Sequence, residues 1–279
     1  MREVLAVGSL KGAPGVTTLA LALASSWPTA TVGRRPVVVE ADVAGGDLAA
    51  RFGLSDAAGL MALAAGGRGP LADDELDGFV QEVPGGVKVI AAPTGEDQAA
   101  ACAAEVAARP ALLRGDVKAG GTVLLDLGHV GGDVSRQLVR SADRLLLVCQ
   151  GGVEALAHVM ARGSWLDGVW LDLLVVGECR YAPVDIAKSL GVDADRVHMV
   201  PWDARTGAAL AGRSPIGGRR WRRSPLTSCV RDLAVELAGI EAGRGRLGGD
   251  LARLSARTVP EMSAMAAPAT RVLERGELR

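Results

Sequence analysis

Short apolar runs rich in Val and Leu alternate along the chain with longer Ala-rich stretches whose apolar positions recur at helical spacing. A strand covered by helices on both sides has no polar face to show, so this alternation predicts a mostly parallel sheet buried on both faces. Strands are expected at Val4 to Ser9, Pro36 to Glu40, Val87 to Ala91, Thr122 to Leu127, Leu145 to Cys149, Leu171 to Val176 and Arg196 to Val200. Helices are expected at Thr17 to Ser26, Asp97 to Ala108, Val134 to Ser141, Val153 to Trp165, Pro183 to Leu190, Ala204 to Ala211 and Pro225 to Ala238. The Ala-, Gly- and Asp-rich stretch Leu54 to Pro84 fits a helix or two inserted between the second and third strands. After Gly239 the pattern fades into the glycine-rich, charged EAGRGRLGGD and an Ala/Pro/Arg tail. The expected division is a folded unit over residues 1–240 and a flexible C-terminal extension over 241–279.

Composition narrows the class. With 49 % hydrophobic and 23 % charged residues in 279, the chain can bury a sizeable core and is not disordered as a whole. The 31 basic and 32 acidic residues leave a formal charge of −1, so only a local patch could attract nucleic acid or anionic lipid. No run approaches the roughly 18 apolar residues of a spanning helix. The first apolar run ends at Lys11 among glycines, which is not a signal-peptide plan, and a cytoplasmic location is expected. Cys102, Cys149, Cys179 and Cys229 are far apart and His129, His158 and His198 are isolated, so buried thiols are favoured over a metal centre. Lysine occurs only at Lys11, Lys88, Lys118 and Lys188, which draws attention to Lys11 beside a glycine loop.

The segment VLAVGSLKGAPGVTTLALALA sets that loop directly between the first strand and the first helix. Glycines let backbone N–H groups crowd an anion, the helix N-terminus adds partial positive charge, and a first-turn hydroxyl can ligate Mg²⁺. Gly12, Gly15, Thr17 and Thr18 stand in those places. The general phosphate-loop pattern G-x-x-x-x-G-K-[ST] requires a lysine where this chain has Val16. An ordinary strand-to-helix turn with threonines starting the helix is the alternative reading.

Lys11-Gly12-Ala13-Pro14-Gly15-Val16-Thr17-Thr18 resembles the deviant Walker A loop K-G-G-x-G-K-[ST]-[ST] of the MinD/ParA family of ATPases, with Ala13 and Val16 as departures. The resemblance implies a doubly wound α/β fold that binds ATP and Mg²⁺. It makes Lys11 the lysine that reaches the nucleotide of a partner subunit, and Gly12, Ala13, Pro14, Gly15, Val16, Thr17 and Thr18 the phosphate cradle. Pro36-Val-Val-Val-Glu-Ala-Asp42 resembles the second strand and first switch, which implies that Asp42 positions the attacking water near the metal and Glu40 supports it. Thr122-Val-Leu-Leu-Asp126 resembles the Walker B strand, which implies that Asp126, with Thr17, holds Mg²⁺. Val200-Pro201-Trp202-Asp203 resembles the loop beside adenine, which assigns Pro201 and Asp203 to the base. Leu127-Gly128-His129 lacks the family's proline after the metal aspartate, and Val175-Val176-Gly177-Glu178 lacks its asparagine.

Within the family, Gly45 to Ala49 and Gly85 to Pro93 look most like the CpaE/TadZ-type branch that localises pili and secretion machines. The function implied is a nucleotide-dependent dimerising switch, a weak ATPase if active, that positions a pilus or secretion apparatus, a septum, or a chromosome or plasmid. A degenerate relative acting as a spatial adaptor is the alternative, and a small-molecule kinase or ligase is a third. The tail from Val259 to Arg279 lacks the aromatic, basic face of a lipid-binding helix. Arg213, Arg219, Arg220, Arg222 and Arg223 surround Trp221, a cluster able to meet DNA phosphates non-specifically or to be a solvated loop with Trp221 tucked onto the core.

Overall fold

The computed structural model describes residues 1–11, 15–55, 57–66, 73–162 and 164–239. Gly12, Ala13 and Pro14 of the expected phosphate cradle, and the extension expected over 241–279, lie outside the described residues.

The strands are β1 (Glu3–Ser9), β2 (Val37–Glu40), β3 (Gln81–Val83), β4 (Val87–Ile90), β5 (Thr122–His129), β6 (Arg144–Gln150), β7 (Leu171–Val176) and β8 (Val197–Val200). Among the described residues they form an eight-stranded sheet in the order β3-β4-β2-β5-β1-β6-β7-β8. Every pairing is parallel except β3 with β4, so the carboxyl ends of the other seven strands share one edge. The doubly wound, mostly parallel sheet expected from the apolar pattern is present. β3 is an addition: Val83 faces Val87 across a Pro84-Gly85-Gly86 turn, and this antiparallel strand closes the edge beside β4.

The helices are α1 (Val16–Ser26), α2 (Thr29–Val32), α3 (Leu48–Phe52), α4 (Leu60–Ala65), α5 (Asp73–Asp77), α6 (Glu96–Ala108), α7 (Ala111–Arg114), α8 (Asp133–Ser141), α9 (Val153–Met160), α10 (Pro183–Leu190), α11 (Ala204–Leu210), α12 (Gly218–Arg222) and α13 (Pro225–Leu237). The stretch after Leu54 carries α4 and α5, as its composition suggests. The helix expected from Val153 to Trp165 stops at Met160, and Trp165 sits in a separate short 3₁₀ turn, Ser164–Leu166.

Side chains alternate across each strand and are buried on both faces. Leu5 and Val7 join Leu124, Leu146 and Leu174 under α1, α11 and α13, while Val4 and Ala6 join Val123, Leu125, Leu147 and Leu173 under α4, α6, α8, α9 and α10. Each fully buried leucine removes enough apolar surface to contribute about 1.5–3 kcal/mol. Proline and a capping hydroxyl start α13: Pro225 occupies its first turn, and Ser224 Oγ accepts the Thr227 amide at 3.1 Å. Among the described residues no helix is long and apolar enough to cross a membrane.

Candidate nucleotide site at the carboxyl edge of the sheet

The ends of β1, β2 and β5 converge because β1 pairs with β5 and β5 pairs with β2. In an open parallel sheet this edge is where ligands settle. Gly15 starts α1 there with φ of +104°, a left-handed conformation that disfavours side chains, and its carbonyl accepts the Leu19 amide at 2.7 Å. The positive end of α1, carrying Val16, Thr17 and Thr18, therefore opens onto the ends of the strands.

A polar cavity of about 300 Å³ lies against that helix end, lined by Gly15, Val16, Thr17, Thr18, Asp42 and His129 among others. Asp126, on β5 behind Thr17, is fully buried; its Oδ1 accepts the Gly128 amide at 3.1 Å, while Oδ2 is buried without a hydrogen-bond partner. Burial pushes the Asp126 carboxyl up to about 7, with the neighbouring Thr17 hydroxyl and the Gly128 amide pulling it down. The nearby carboxylates Glu40 and Asp42 push it the same way. Asp42 accepts the Ala44 amide on Oδ1 at 2.9 Å, and burial raises its carboxyl too, opposed by that bond and by His129. Gly128 is left-handed at φ +54°, and a Cβ there would fall inside the Asp42 carboxylate, so any side chain at 128 must displace Asp42.

A buried carboxylate oxygen without a partner, beside a threonine hydroxyl and a second carboxylate, is a set of hard oxygen donors suited to a hydrated Mg²⁺. Asp126 and Thr17 would hold the ion, and Asp42 would face its water shell. A cation would lower both raised carboxyl pKa values.

Glu40 plays a different part from a cavity carboxylate. Its Oε1 accepts the amides of Asp47 (2.8 Å) and Leu48 (3.1 Å), and its Oε2 that of Ala92 (3.0 Å). Burial still raises its carboxyl, with those amides pulling it down. Glu40 thus ties the segment after β2, including the start of α3, to the end of β4.

On the other side of Gly15 and Thr18 a second cavity of about 350 Å³ is mainly apolar, with Leu19, Val176, Val200, Pro201 and Trp202 in its wall. Asp203 borders it, but its carboxylate is engaged: Oδ1 caps α11 by accepting the Thr206 amide at 3.0 Å, and Oδ2 accepts the Thr206 and Ser224 hydroxyls, each at 2.7 Å. Burial would raise the Asp203 carboxyl, but those bonds outweigh it and hold it below its ordinary value. Trp202 is 63 % exposed at the rim. The two cavities share Gly15 and Thr18 and so adjoin each other, one polar and one mainly apolar.

The structure brings Gly15, Val16, Thr17, Thr18 and Asp42 to the polar cavity beside Asp126, and Pro201 and Asp203 to the apolar one. Lys11 is turned elsewhere: its Nζ donates to His158 Nε2 on α9 at 2.9 Å, and both residues are exposed. Ser9, Asp47 and Arg51 line the cavity without having been candidates from sequence, and the loop histidine His129 joins them, its Nε2 2.9 Å from the Leu10 carbonyl. All four thiols are free, and burial raises those of Cys102 and Cys229 and pushes Cys149 up to about 12.

No family model matches the sequence, and no curated protein matches it. Solved structures do. The chain superposes on a ParA family ATPase from Chlorobium tepidum TLS with a TM-score of 0.64 at 18 % identity, covering 84 % of this chain and 99 % of that one. The septum site-determining protein MinD from Pyrococcus horikoshii OT3, complexed with Mg-ADP, gives 0.65 at 19 % identity, covering 87 % and 99 %. The MinC:MinD cell division complex of Aquifex aeolicus gives 0.61 at 17 %, covering 88 % and 98 %. With its parallel sheet, its glycine turn into α1 and the carboxylates at the ends of β2 and β5, the chain has the fold of the MinD/ParA ATPases.

Proposed function

We propose that this protein is a nucleotide-dependent switch that binds ATP with Mg²⁺ across the two cavities, self-associates in that state, and positions a cellular cargo or machine. The observation that carries the proposal is the buried, unpartnered Asp126 Oδ2 beside Thr17 at the end of α1, next to an apolar cavity of a size for a base. The MinD of Pyrococcus horikoshii in its Mg-ADP complex and the partner-bound MinD of Aquifex aeolicus are relatives in fold that support the same reading. Phosphoryl transfer asks the protein mainly for positioning and charge, and Asp42, at the cavity wall, is placed to orient water.

Self-association draws support from apolar side chains left in solvent around this edge. Val153 (56 % exposed) starts α9 after β6, Tyr181 (44 %) and Val184 (59 %) follow β7, and Trp202 (63 %) follows β8. Lys11 lies outside its own phosphate cavity, its Nζ on the exposed His158, a contact that a phosphate of a second subunit can replace. Light scattering with a non-hydrolysable ATP analogue tests this: a dimer is expected that Lys11→Ala loses. Monomer in both proteins at saturating nucleotide would sink the switch.

The adaptor reading keeps one observation of its own. Val16 is 5 % exposed and packs with the core under α1, so the loop brings no charge of its own to phosphate from that position. A non-hydrolysing protein would serve as a localised scaffold for a pilus or secretion machine, a septum, or a partition complex.

A DNA-binding role is the second surface of the proposal. Arg213, Arg219, Arg220, Arg222 and Arg223 are all exposed, and among the described residues none has an ion-pair partner, while Trp221 packs against the core and anchors α12. Retention on duplex DNA at about 50 mM salt, falling steeply with salt and lost on replacing Arg219, Arg220, Arg222 and Arg223 by Ala, tests it. Absence of retention leaves α12 a solvated surface.

A further inference from the structure

We infer that Arg51 is the phosphate-binding cation of this site, supplying from α3 the positive charge that Val16 withholds from the loop. The inference rests on the nucleotide reading above and names the group that makes it chemically workable. Among the described residues lining the polar cavity, Arg51 is the only lysine or arginine, and it shares that wall with Val16, Thr17 and Thr18. Its side chain is only 19 % exposed. Nη2 donates to Asp47 Oδ2 at 3.2 Å, whereas Nη1 is buried with no acceptor. A buried guanidinium nitrogen lacking an acceptor is costly, and an anion in the adjoining cavity satisfies it.

The carrier of Arg51 is fixed and its present partner is weak. Leu48 is fully buried, and Glu40 holds the amides of Asp47 and Leu48, so α3 is anchored to the strand that leads into Asp42. Asp47, in contrast, is 75 % exposed, and an ion pair with an exposed carboxylate is easily exchanged. A phosphate can therefore take the guanidinium from Asp47 by a side-chain movement alone. The planar fork of arginine suits two oxygens of one phosphate, which a lysine at position 16 could meet only as a point charge. The ligand class is a polyphosphate chain, recognised jointly by the helix end and Arg51. Because Arg51, Asp47 and Asp42 follow β2 in one continuous segment, phosphate contact at Arg51 reports directly to the residue that faces the attacking water.

Calorimetric titration of the full chain with MgATP and with inorganic tripolyphosphate tests the inference. Arg51→Ala is expected to weaken both ligands about 10- to 100-fold, the loss of one charged contact. Adding Val16→Lys to Arg51→Ala is expected to restore ATP binding, because the charge returns from the loop. Arg51→Gln keeps length and a donor without charge; should Arg51→Ala not fold, the same loss in Arg51→Gln supports the inference. ATP binding of wild-type strength in a folded Arg51→Ala or Arg51→Gln overturns it and leaves the nucleotide reading standing. Failure of the wild type to bind either ligand at millimolar concentration overturns both.

Discussion

At the carboxyl edge of the sheet Asp126 keeps Oδ2 buried without a partner and its carboxyl is pushed up to about 7, whereas at the amino edge the equally buried Asp172 is fully engaged. Arg144, at the start of β6, donates Nε to Asp172 Oδ2 and Nη2 to Oδ1 at 2.5 Å; His198 Nε2 stands 3.5 Å from Oδ1, and Glu236 of α13 lies 3.4 Å from Arg144 Nη2. Burial alone would raise the Asp172 carboxyl, but Arg144 and His198 outweigh it and hold it below the ordinary range. Asp172, His198 and Glu236 are close enough to share a cation, and the guanidinium already fills that place. Trp170 covers the cluster, with Arg196 at 3.8 Å from its ring centre and Arg144 at 6.0 Å. The difference separates a carboxylate kept for stability, satisfied within the chain, from one kept for a ligand, whose remaining oxygen the fold leaves unpaired.

Opposite consequences follow for neutralising each acid. Asp172→Asn strands Arg144 in a mostly buried position and is expected to destabilise the protein by about 3 kcal/mol, measured by urea unfolding at pH 7. A cost under about 1 kcal/mol would mean the amino-edge cluster is ornamental. Because the folded Asp172 carboxyl lies below its unfolded value, its stabilisation is present above about pH 4 and is lost as pH falls through the folded value. Asp172→Asn is therefore expected to flatten the acid limb of the stability profile.

Asp126→Asn should move the other way, gaining up to about 4 kcal/mol at pH 8 in the absence of nucleotide. With the folded carboxyl raised to about 7, its favourable contribution is complete below about pH 4 and disappears as pH rises toward 7. Folding takes up a proton across that window, so the wild type loses stability there relative to Asp126→Asn. Parallel profiles for the two proteins between pH 4 and 8 would show that the carboxylate at this edge is not under strain.

Legibility in sequence tracked how far each feature depends on neighbours remote in the chain. The strands flanking the site were legible because burial on both faces writes continuous apolar runs such as Val123 to Leu125, and Asp126 stood out as the acid ending one. β3 was not, since a three-residue edge strand reading Gln81-Glu82-Val83 carries no apolar run and is defined by the turn into β4. Glu40 was legible as an acid at a strand end, but its hold on the Asp47, Leu48 and Ala92 amides depends on a loop and a strand brought together only by folding. Arg51 was hidden for a similar reason: in sequence it is one charge on a short helix, four residues from an aspartate, the pattern of a solvated face. The helix from Val153 overran in expectation because apolar spacing continues past Met160, while the backbone turns at Ala161.

Thermal unfolding of the wild type and Asp126→Asn, each with ATP in Mg²⁺ and with ATP in excess chelator, tests the central claim most directly. A ligand that binds only the folded state raises the midpoint. The wild type is expected to gain stability with ATP and Mg²⁺ and to lose most of that gain with chelator, whereas Asp126→Asn, though more stable alone, should show no Mg²⁺-dependent gain. A wild-type midpoint that millimolar ATP and Mg²⁺ leave unmoved, or an equal Mg²⁺-dependent gain in Asp126→Asn, would contradict the assignment of the unpaired carboxylate to a nucleotide-bound cation.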